Sequence, residues 1–246
     1  MPRLRLATTT PGEPEIFHSL QGEGISIGRP SVFVRLSGCN LACNWCDTPY
    51  TWYFEGSNAA HRSSARFIRR DNSIALSVEN VAERIARFGC DHIIFTGGEP
   101  LLQQAALADV CALLGANRHI EIESNGTVLL DDRLAPHVDQ LNLSPKLAHS
   151  GNAEHARINI EALQGLAQDP RAWFKFVVAS PDDVTELDLL AERLGLPPAR
   201  IILMGEGTTP DALNARAIWL APLCVARGYR FTDRLHIHLY GDTRGT

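Results

Sequence analysis

From Ser77 onward, apolar and polar positions fall into two alternating rhythms. Val78, Val81, Ile85 and Phe88 recur at helical spacing behind Ser77, a residue suited to cap a helix, and Gly89 is placed to terminate it. Short apolar or alternating runs at residues 92–96, 120–123, 141–144, 174–178, 201–204 and 235–239 predict strands. Between them lie helical patterns over about 101–114, 182–194 and 210–226; in the second, Val184, Leu187, Leu190 and Leu194 share one face. Upstream, residues 15–36 predict two strands around a glycine-rich turn, the second of them alternating through Ser31-Val32-Phe33-Val34-Arg35-Leu36. Strands alternating with amphipathic helices predict an α/β fold, a partial (β/α) barrel of about six parallel strands with helices outside, short of a complete eightfold barrel.

Length agrees with this. The 246 residues favour a single domain spanning 1–246. Residues 49–76 differ in composition: aromatics at Tyr50, Trp52, Tyr53 and Phe54 precede Arg62, Arg66, Arg69 and Arg70 among serines and asparagine, which predicts an inserted excursion off the core. Apolar residues at 45% and charged residues at 21% are those of an ordinary globular chain, and a formal net charge of −5 argues against a nucleic-acid binder. The first residues hold no apolar run of signal-peptide length, and no stretch approaches the roughly 18 apolar residues of a membrane span. The expectation is a cytoplasmic protein with no membrane partner.

The six cysteines divide unevenly. Cys90, Cys111 and Cys224 are scattered among apolar stretches and read as small buried hydrophobes. Cys39, Cys43 and Cys46 fall within eight residues, at spacings that let one loop wrap three thiolates around a common centre. Structural zinc closes its shell with four protein ligands, and an electron-transfer iron–sulfur cluster takes four cysteines. Three cysteines on a cubane leave one iron open to a small molecule, which is a catalytic arrangement. A zinc loop completed by a distant residue such as His61 is the competing reading.

Chemistry-bearing residues also gather after the strands. Thr96-Gly97-Gly98-Glu99-Pro100, Glu123-Ser124-Asn125-Gly126-Thr127, Ser144-Pro145-Lys146 and Met204-Gly205-Glu206-Gly207-Thr208 each follow one. Ordinary strand–helix turns use the same residue types. Their repetition on one rim, beside a three-cysteine loop, points instead to a ligand site at the carboxyl ends of the strands.

Cys39, Cys43 and Cys46 in CxxxCxxC spacing, with Gly97-Gly98-Glu99-Pro100 one strand later, resemble the radical S-adenosylmethionine (SAM) superfamily. The resemblance implies a [4Fe–4S] cluster on the three cysteines, with SAM chelated at the open iron and cleaved to a 5′-deoxyadenosyl radical that takes hydrogen from the substrate. A narrower likeness lies in Glu15-Ile16-Phe17-His18-Ser19-Leu20-Gln21-Gly22-Glu23-Gly24, Gly28-Arg29-Pro30, Phe33-Val34-Arg35-Leu36 and Cys46-Asp47-Thr48. These segments resemble the 7-carboxy-7-deazaguanine synthase family, which contracts the ring of 6-carboxy-5,6,7,8-tetrahydropterin with loss of ammonia and uses Mg2+. By that resemblance Leu20, Gln21, Gly22, Glu23, Arg35, Thr96 and His236 face the substrate, with Arg35 on its carboxylate. Gly98, Glu99, Glu123, Ser144, Pro145, Lys146 and Glu206 form the SAM side, and the Thr48 hydroxyl serves Mg2+, with Asp47 shaping that turn.

Two departures stand out. Many members of that family carry Gln-Pro where this chain has Leu203 to Thr208, and some end soon after the histidine, whereas this chain runs on as a C-terminal extension over about 236–246. The resemblance further implies a homodimer and a flavodoxin or ferredoxin as electron donor. Arg62, Arg66, Arg69 and Arg70 are either a solvated loop or the patch on which that acidic donor docks. Trp45, between two of the cysteines, would shield the cluster from water. A radical SAM activase acting on a protein partner is the other enzymatic reading, and a non-catalytic zinc or ferredoxin-like module the third.

Overall fold

A computed structural model describes residues 2–63 and 66–246. The strands, in chain order, are β1 (Arg3–Thr10), β2 (Glu13–Pro14), β3 (Ile16–Leu20), β4 (Pro30–Leu36), β5 (Ser73–Ser77), β6 (His92–Gly97), β7 (His119–Ser124), β8 (Gln140–Leu143), β9 (Ala172–Val178), β10 (Ile201–Gly205) and β11 (Arg230–Thr232). The helices are α1 (Arg69–Asn72), α2 (Val78–Ala86), α3 (Gln104–Leu114), α4 (Glu154–Arg157), α5 (Ile160–Ala167), α6 (Pro181–Leu194), α7 (Pro210–Arg227) and α8 (Leu235–Tyr240). One sheet runs β11-β10-β9-β8-β7-β6-β4-β1-β2, with β3 paired to β4 and β5 to β1. From β4 to β11 every neighbouring pair is parallel. The expected partial barrel is therefore present, with seven parallel strands and an antiparallel flank.

The strand pattern divides the labour between the two faces. Val32, Val34 and Leu36 of β4, Ile93 and Phe95 of β6, Ile120 and Ile122 of β7, Leu141 and Leu143 of β8, and Phe174 and Phe176 of β9 join the apolar core with α2, α3, α5 and α6. The intervening positions, which a strand directs to its opposite face, carry Arg35, Thr96, Glu121, Glu123, Asn142 and Lys175. Burial of the first set drives folding; the second set is left on the inner face of the barrel.

Helix signals hold up well. Ser77 caps α2, its side chain accepting the Asn80 N–H at 3.3 Å. The helix expected from residue 101 begins as a short 3-10 turn and becomes α3 at Gln104. Two expectations need correction, and one strand was not foreseen. Residues 235–239 are not a last strand but helix α8; the place beside β10 is taken by β11, and so short a run as Leu-His-Ile-His-Leu cannot declare its period. Residues 49–76 are not wholly off the core: Tyr50, Thr51, Tyr53 and Phe54 are buried, and the segment ends in β5, which pairs with β1 from Arg3↔Ser77 to Ala7↔Ser73. Strand β1 itself has no counterpart in the pattern reading, because only Leu4 and Leu6 mark its buried face before the threonines begin. Among the described residues, no helix is long and apolar enough to cross a membrane.

Candidate active site

Loops after the parallel strands enclose a cavity of about 400 Å³, within the range of small-molecule sites. Leu20, Gln21, Gly22, Glu23, Arg35, Cys39, Cys43, Cys46, Thr48, Thr96, Gly98, Glu123, Ser144, Lys146, Glu206 and His236 all line it. Glu99 and Pro145 do not. Glu99 is fully buried and accepts from Leu101 N, Ser124 Oγ and Asn125 N at 2.7–2.9 Å, so its side chain ties the end of β6 to the end of β7. Any ligand contact from this residue falls to its backbone.

The cysteine loop and the Gly-Gly-Glu turn are locked together. Gly98 N donates to Leu36 O at 3.0 Å and Glu99 N to Gly38 O at 2.8 Å. A Cβ on Gly98 would lie 2.0 Å from Gly38 O, so only glycine permits this approach. Around the thiols, Asn152 Nδ2 donates to Cys43 Sγ at 3.3 Å while its Oδ1 accepts from Ala42 N, and Leu41 N donates to Cys39 Sγ at 3.4 Å. Burial pushes Cys39 up to about 12 and Cys46 to about 11, and raises Cys43 too. These thiols keep their protons until a metal displaces them.

The donor set suits an iron–sulfur cluster better than zinc. His61, the candidate fourth ligand, is occupied: Nε2 lies 2.9 Å from Cys46 O and Nδ1 accepts from Ser63 N at 3.0 Å. Among the described residues, no three His, Cys, Asp or Glu side chains converge on a point where one ion would sit. A cubane instead spreads its thiolates over separate irons. Trp45 stacks on His149 at 5.4 Å and 19°, and Lys146 Nζ lies 5.6 Å from its ring centre. Lys146 also donates to Ser144 Oγ at 2.8 Å, and Arg157 Nη1 holds the Lys146 carbonyl at 2.9 Å.

A second cluster of groups comes from β3, β7, β8, β9 and the segment before α8. Gln21 Nε2 donates to Glu121 Oε1 at 2.9 Å and Glu123 Oε1 at 3.1 Å, while its Oε1 accepts from Glu23 N at 3.1 Å. Thr96 Oγ1 donates to Glu123 Oε2 at 2.7 Å. Glu123, expected among the SAM-side residues, thus shares its carboxylate with Gln21 and Thr96. Glu121 lies deeper; fully buried, it also accepts from Ser26 Oγ at 2.8 Å and from Asn142 Nδ2. His92 is buried below, with Nδ1 2.6 Å from Ser31 Oγ.

Charge concentrates on Glu23. It pairs with Lys175 and, at 3.0 Å, with Arg234 Nε, and Arg234 also reaches Asp47 and the Gly207 carbonyl. Burial alone would raise the Glu23 carboxyl, but Lys175, Arg234 and His236 overcome this and hold it far below its ordinary range. His236 is lowered, first by burial, so its imidazole is neutral at pH 7; it packs so tightly on Gly22 that a Cβ there would lie 2.0 Å from Nδ1. Arg35 Nε donates to Glu15 Oε1 at 2.7 Å, and the same oxygen accepts from Tyr50 Oη at 3.1 Å. Glu206, expected at the SAM ribose, is already paired with Arg62 at 2.6 Å and Arg216 at 3.1 Å.

Lys175, Arg234 and Asn142 line the cavity without having been singled out in the sequence, whereas Asn125 belongs to a rim segment that was. Lys175 and Asn142 carried a signal: each is a polar residue at the inward position of an otherwise apolar strand. Arg234 carried none, since it lies in a loop whose approach to Glu23 and Asp47 is purely tertiary.

This combination, a parallel partial barrel with three loop thiols and a Gly-Gly-Glu turn at its carboxyl rim, defines a radical SAM protein. Residues 33–159 match the model of the Radical SAM superfamily. The chain is 37% identical to 7-carboxy-7-deazaguanine synthase of Pyrobaculum aerophilum, over 94% of this chain and 95% of that protein. It is 38% identical to the synthase of Halobacterium salinarum, over 94% and 91%. The crystal structure of QueE from Escherichia coli superposes with a TM-score of 0.66 at 28% identity, covering 94% of this chain and 95% of that one. The chain belongs to the 7-carboxy-7-deazaguanine synthase family of radical SAM enzymes. Membership brings a [4Fe–4S] cluster and SAM as cofactors, which the cysteine loop and its rim fit.

Proposed function

We propose that this enzyme converts 6-carboxy-5,6,7,8-tetrahydropterin to 7-carboxy-7-deazaguanine with loss of ammonia, a step of queuosine and 7-deazapurine biosynthesis. The observation that carries the reading is one cavity holding both the three-thiol loop and an inner barrel face of paired hydrogen-bonding and charged groups. When bound, the cluster and SAM supply one-electron reductive cleavage and hydrogen-atom abstraction. Cys39, Cys43 and Cys46 would hold the cluster; the Gly98 backbone, Ser144 and Lys146 would hold SAM.

The remaining residues bind and orient the substrate. Arg35, anchored through Nε, keeps its terminal nitrogens for a carboxylate, a fork geometry that favours two parallel hydrogen bonds. Gln21, Thr96 and Glu123 are already bonded to one another, so their orientation is set before the substrate arrives. Leu20, Phe17 and Phe33 give the cavity apolar wall, and Phe17 and Phe33 stack at 5.1 Å. Neutral His236 offers a hydrogen-bonding nitrogen without adding charge. Thr48 lines the cavity beside Asp47, and its hydroxyl would serve Mg2+, a cation that takes few protein oxygens and keeps waters or substrate oxygens.

The test is anaerobic reconstitution with iron and sulfide, followed by SAM, a reductant and the carboxylated tetrahydropterin. Formation of ammonia and 7-carboxy-7-deazaguanine, dependent on Cys43 and stimulated by Mg2+, is expected. A reconstituted cluster that cleaves SAM but yields no deazaguanine overturns the reading. We further take the electron donor to be a flavodoxin or ferredoxin, the location to be cytoplasmic and the assembly to be a homodimer. The exposed Ile218 and Val225 of α7 are available to a second copy.

A further inference from the structure

The C-terminal tail beyond α8 returns to the cavity: Asp242, Thr243, Arg244 and Thr246 all line it. Arg244 is its fixed point. Its guanidinium carbon lies 3.5 Å from the centre of the Tyr50 ring and 5.4 Å from that of Phe67. Nη1 donates to Asn72 Oδ1 at 3.0 Å and approaches Thr8 O at 3.5 Å. The tail is thereby joined to β1, to α1 and to the 49–76 segment at one residue.

Tyr50 leads inward from there. The edge of its ring meets Phe67 at 6.2 Å, and its hydroxyl donates to Glu15 Oε1 at 3.1 Å. Glu15 is fully buried, and its other oxygen has no hydrogen-bond partner among the described residues. The carboxylate is therefore held only through Oε1, by Tyr50 Oη and by Arg35 Nε at 2.7 Å. Arg35, in turn, lines the cavity.

We propose that Arg244 is a positioning residue: through Tyr50 and Glu15 it fixes the guanidinium of Arg35 for the substrate carboxylate. The proposal rests on the reading of Arg35 given above. A stacked guanidinium holds the Tyr50 ring at a fixed height, so its hydroxyl meets Oε1 in line. With Oε1 so fixed, Arg35 presents its terminal nitrogens in one orientation, and a bidentate pair tolerates little misalignment. Without Arg244 the phenol tilts, Glu15 relaxes and Arg35 binds the carboxylate through a mixture of geometries.

The experiment compares two ligands, 6-carboxy-5,6,7,8-tetrahydropterin and tetrahydropterin lacking the carboxylate, on reconstituted wild-type, Arg244→Ala, Arg244→Lys and Tyr50→Phe proteins, alone and with Arg244→Ala combined with Tyr50→Phe. Because Arg244 acts on the orientation of Arg35 and not on the reacting atoms, Arg244→Ala should raise KM for the carboxylated substrate roughly tenfold while kcat moves much less. Affinity for the ligand without the carboxylate stays near the wild-type value, so the preference between the two shrinks by the same factor. Arg244→Lys recovers only part of this, because an ammonium does not stack as a plane. The double variant loses no more than Arg244→Ala alone, as one pathway requires. Equal loss for both ligands, an unchanged KM, or additive losses in the double variant would overturn the proposal while leaving the activity assignment standing. Wild-type protein that forms no product would overturn both.

Discussion

Glu23 sits on the cavity wall where two buried cations, Lys175 and Arg234, meet beside the neutral His236. With Lys175 and Arg234 buried beside it, its carboxyl is depressed far below the ordinary value of 4.5. A depressed carboxyl stabilises the fold fully above its unfolded pKa, and that contribution drains away as pH falls toward the folded value. His236, lowered by burial from 6.5, has the same sign: acid must charge an imidazole that the fold keeps neutral. Thermal stability should therefore hold above about pH 6.5 and decline on acidification, most steeply below about 4.5. Removing one partner of a buried charge cluster strands the others, at a cost of about 3–5 kcal/mol. Glu23→Gln should show that loss at pH 7 and a flatter acid limb in a melting series. A variant as stable as wild type at pH 7 would mean that Lys175 and Arg234 find water or other partners.

The junction between β6 and the cysteine loop is where element geometry becomes chemistry. Two backbone hydrogen bonds join the Gly-Gly-Glu turn to residues 36–38, and Gly98 has no space for a side chain. Gly98→Ala should force the cysteine loop away from the rim, giving substoichiometric iron after reconstitution and a lower melting temperature; full iron loading with normal SAM binding would show that the loop can give way. Legibility also varies by element. Helices α2, α6 and α7 could be read because each sets recurring apolar positions behind a Ser or Thr cap, and α3 from its run of apolar residues after Pro100. Helix α8 could not, since six residues satisfy either period, and only the occupancy of the sheet edge by β11 settles it. The buried aromatics of residues 50–54 looked peripheral beside their polar neighbours, yet Tyr50 lies under the tail at Arg244 and its hydroxyl reaches the buried Glu15.

At the scale of the molecule, electrons must reach a cluster held inside the barrel rim. The 49–76 segment lies against the cysteine loop, with Arg62 N donating to Asn44 O at 2.8 Å and His61 Nε2 on Cys46 O. Arg69 rests over Phe54 at 4.3 Å and Arg70 is 84% exposed, so this basic face stands out on a chain of net charge −5. An acidic donor would be steered to it, in a salt-dependent way. Arg62 is set apart, because it pairs with Glu206 in the cavity. Reversing Arg66, Arg69 and Arg70 to Glu should slow flavodoxin-driven turnover severalfold and leave dithionite-driven turnover unchanged. Equal slowing with both reductants would place the docking face elsewhere.

Much of this protein was already decided in one dimension. Apolar periodicity marks most of the longer strands and helices, since burial rewards only one register of each, and CxxxCxxC followed by Gly-Gly-Glu-Pro states the metal chemistry because a single loop supplies all three thiols. What the chain alone left open are the partnerships across long sequence distances: Arg234 with Glu23 and Asp47, Lys175 with Glu23, Arg244 with Tyr50. Charged and aromatic groups such as these show no period. Their meaning depends on which strand ends and which tail the closed barrel brings within a few ångströms, and only the folded chain determines that.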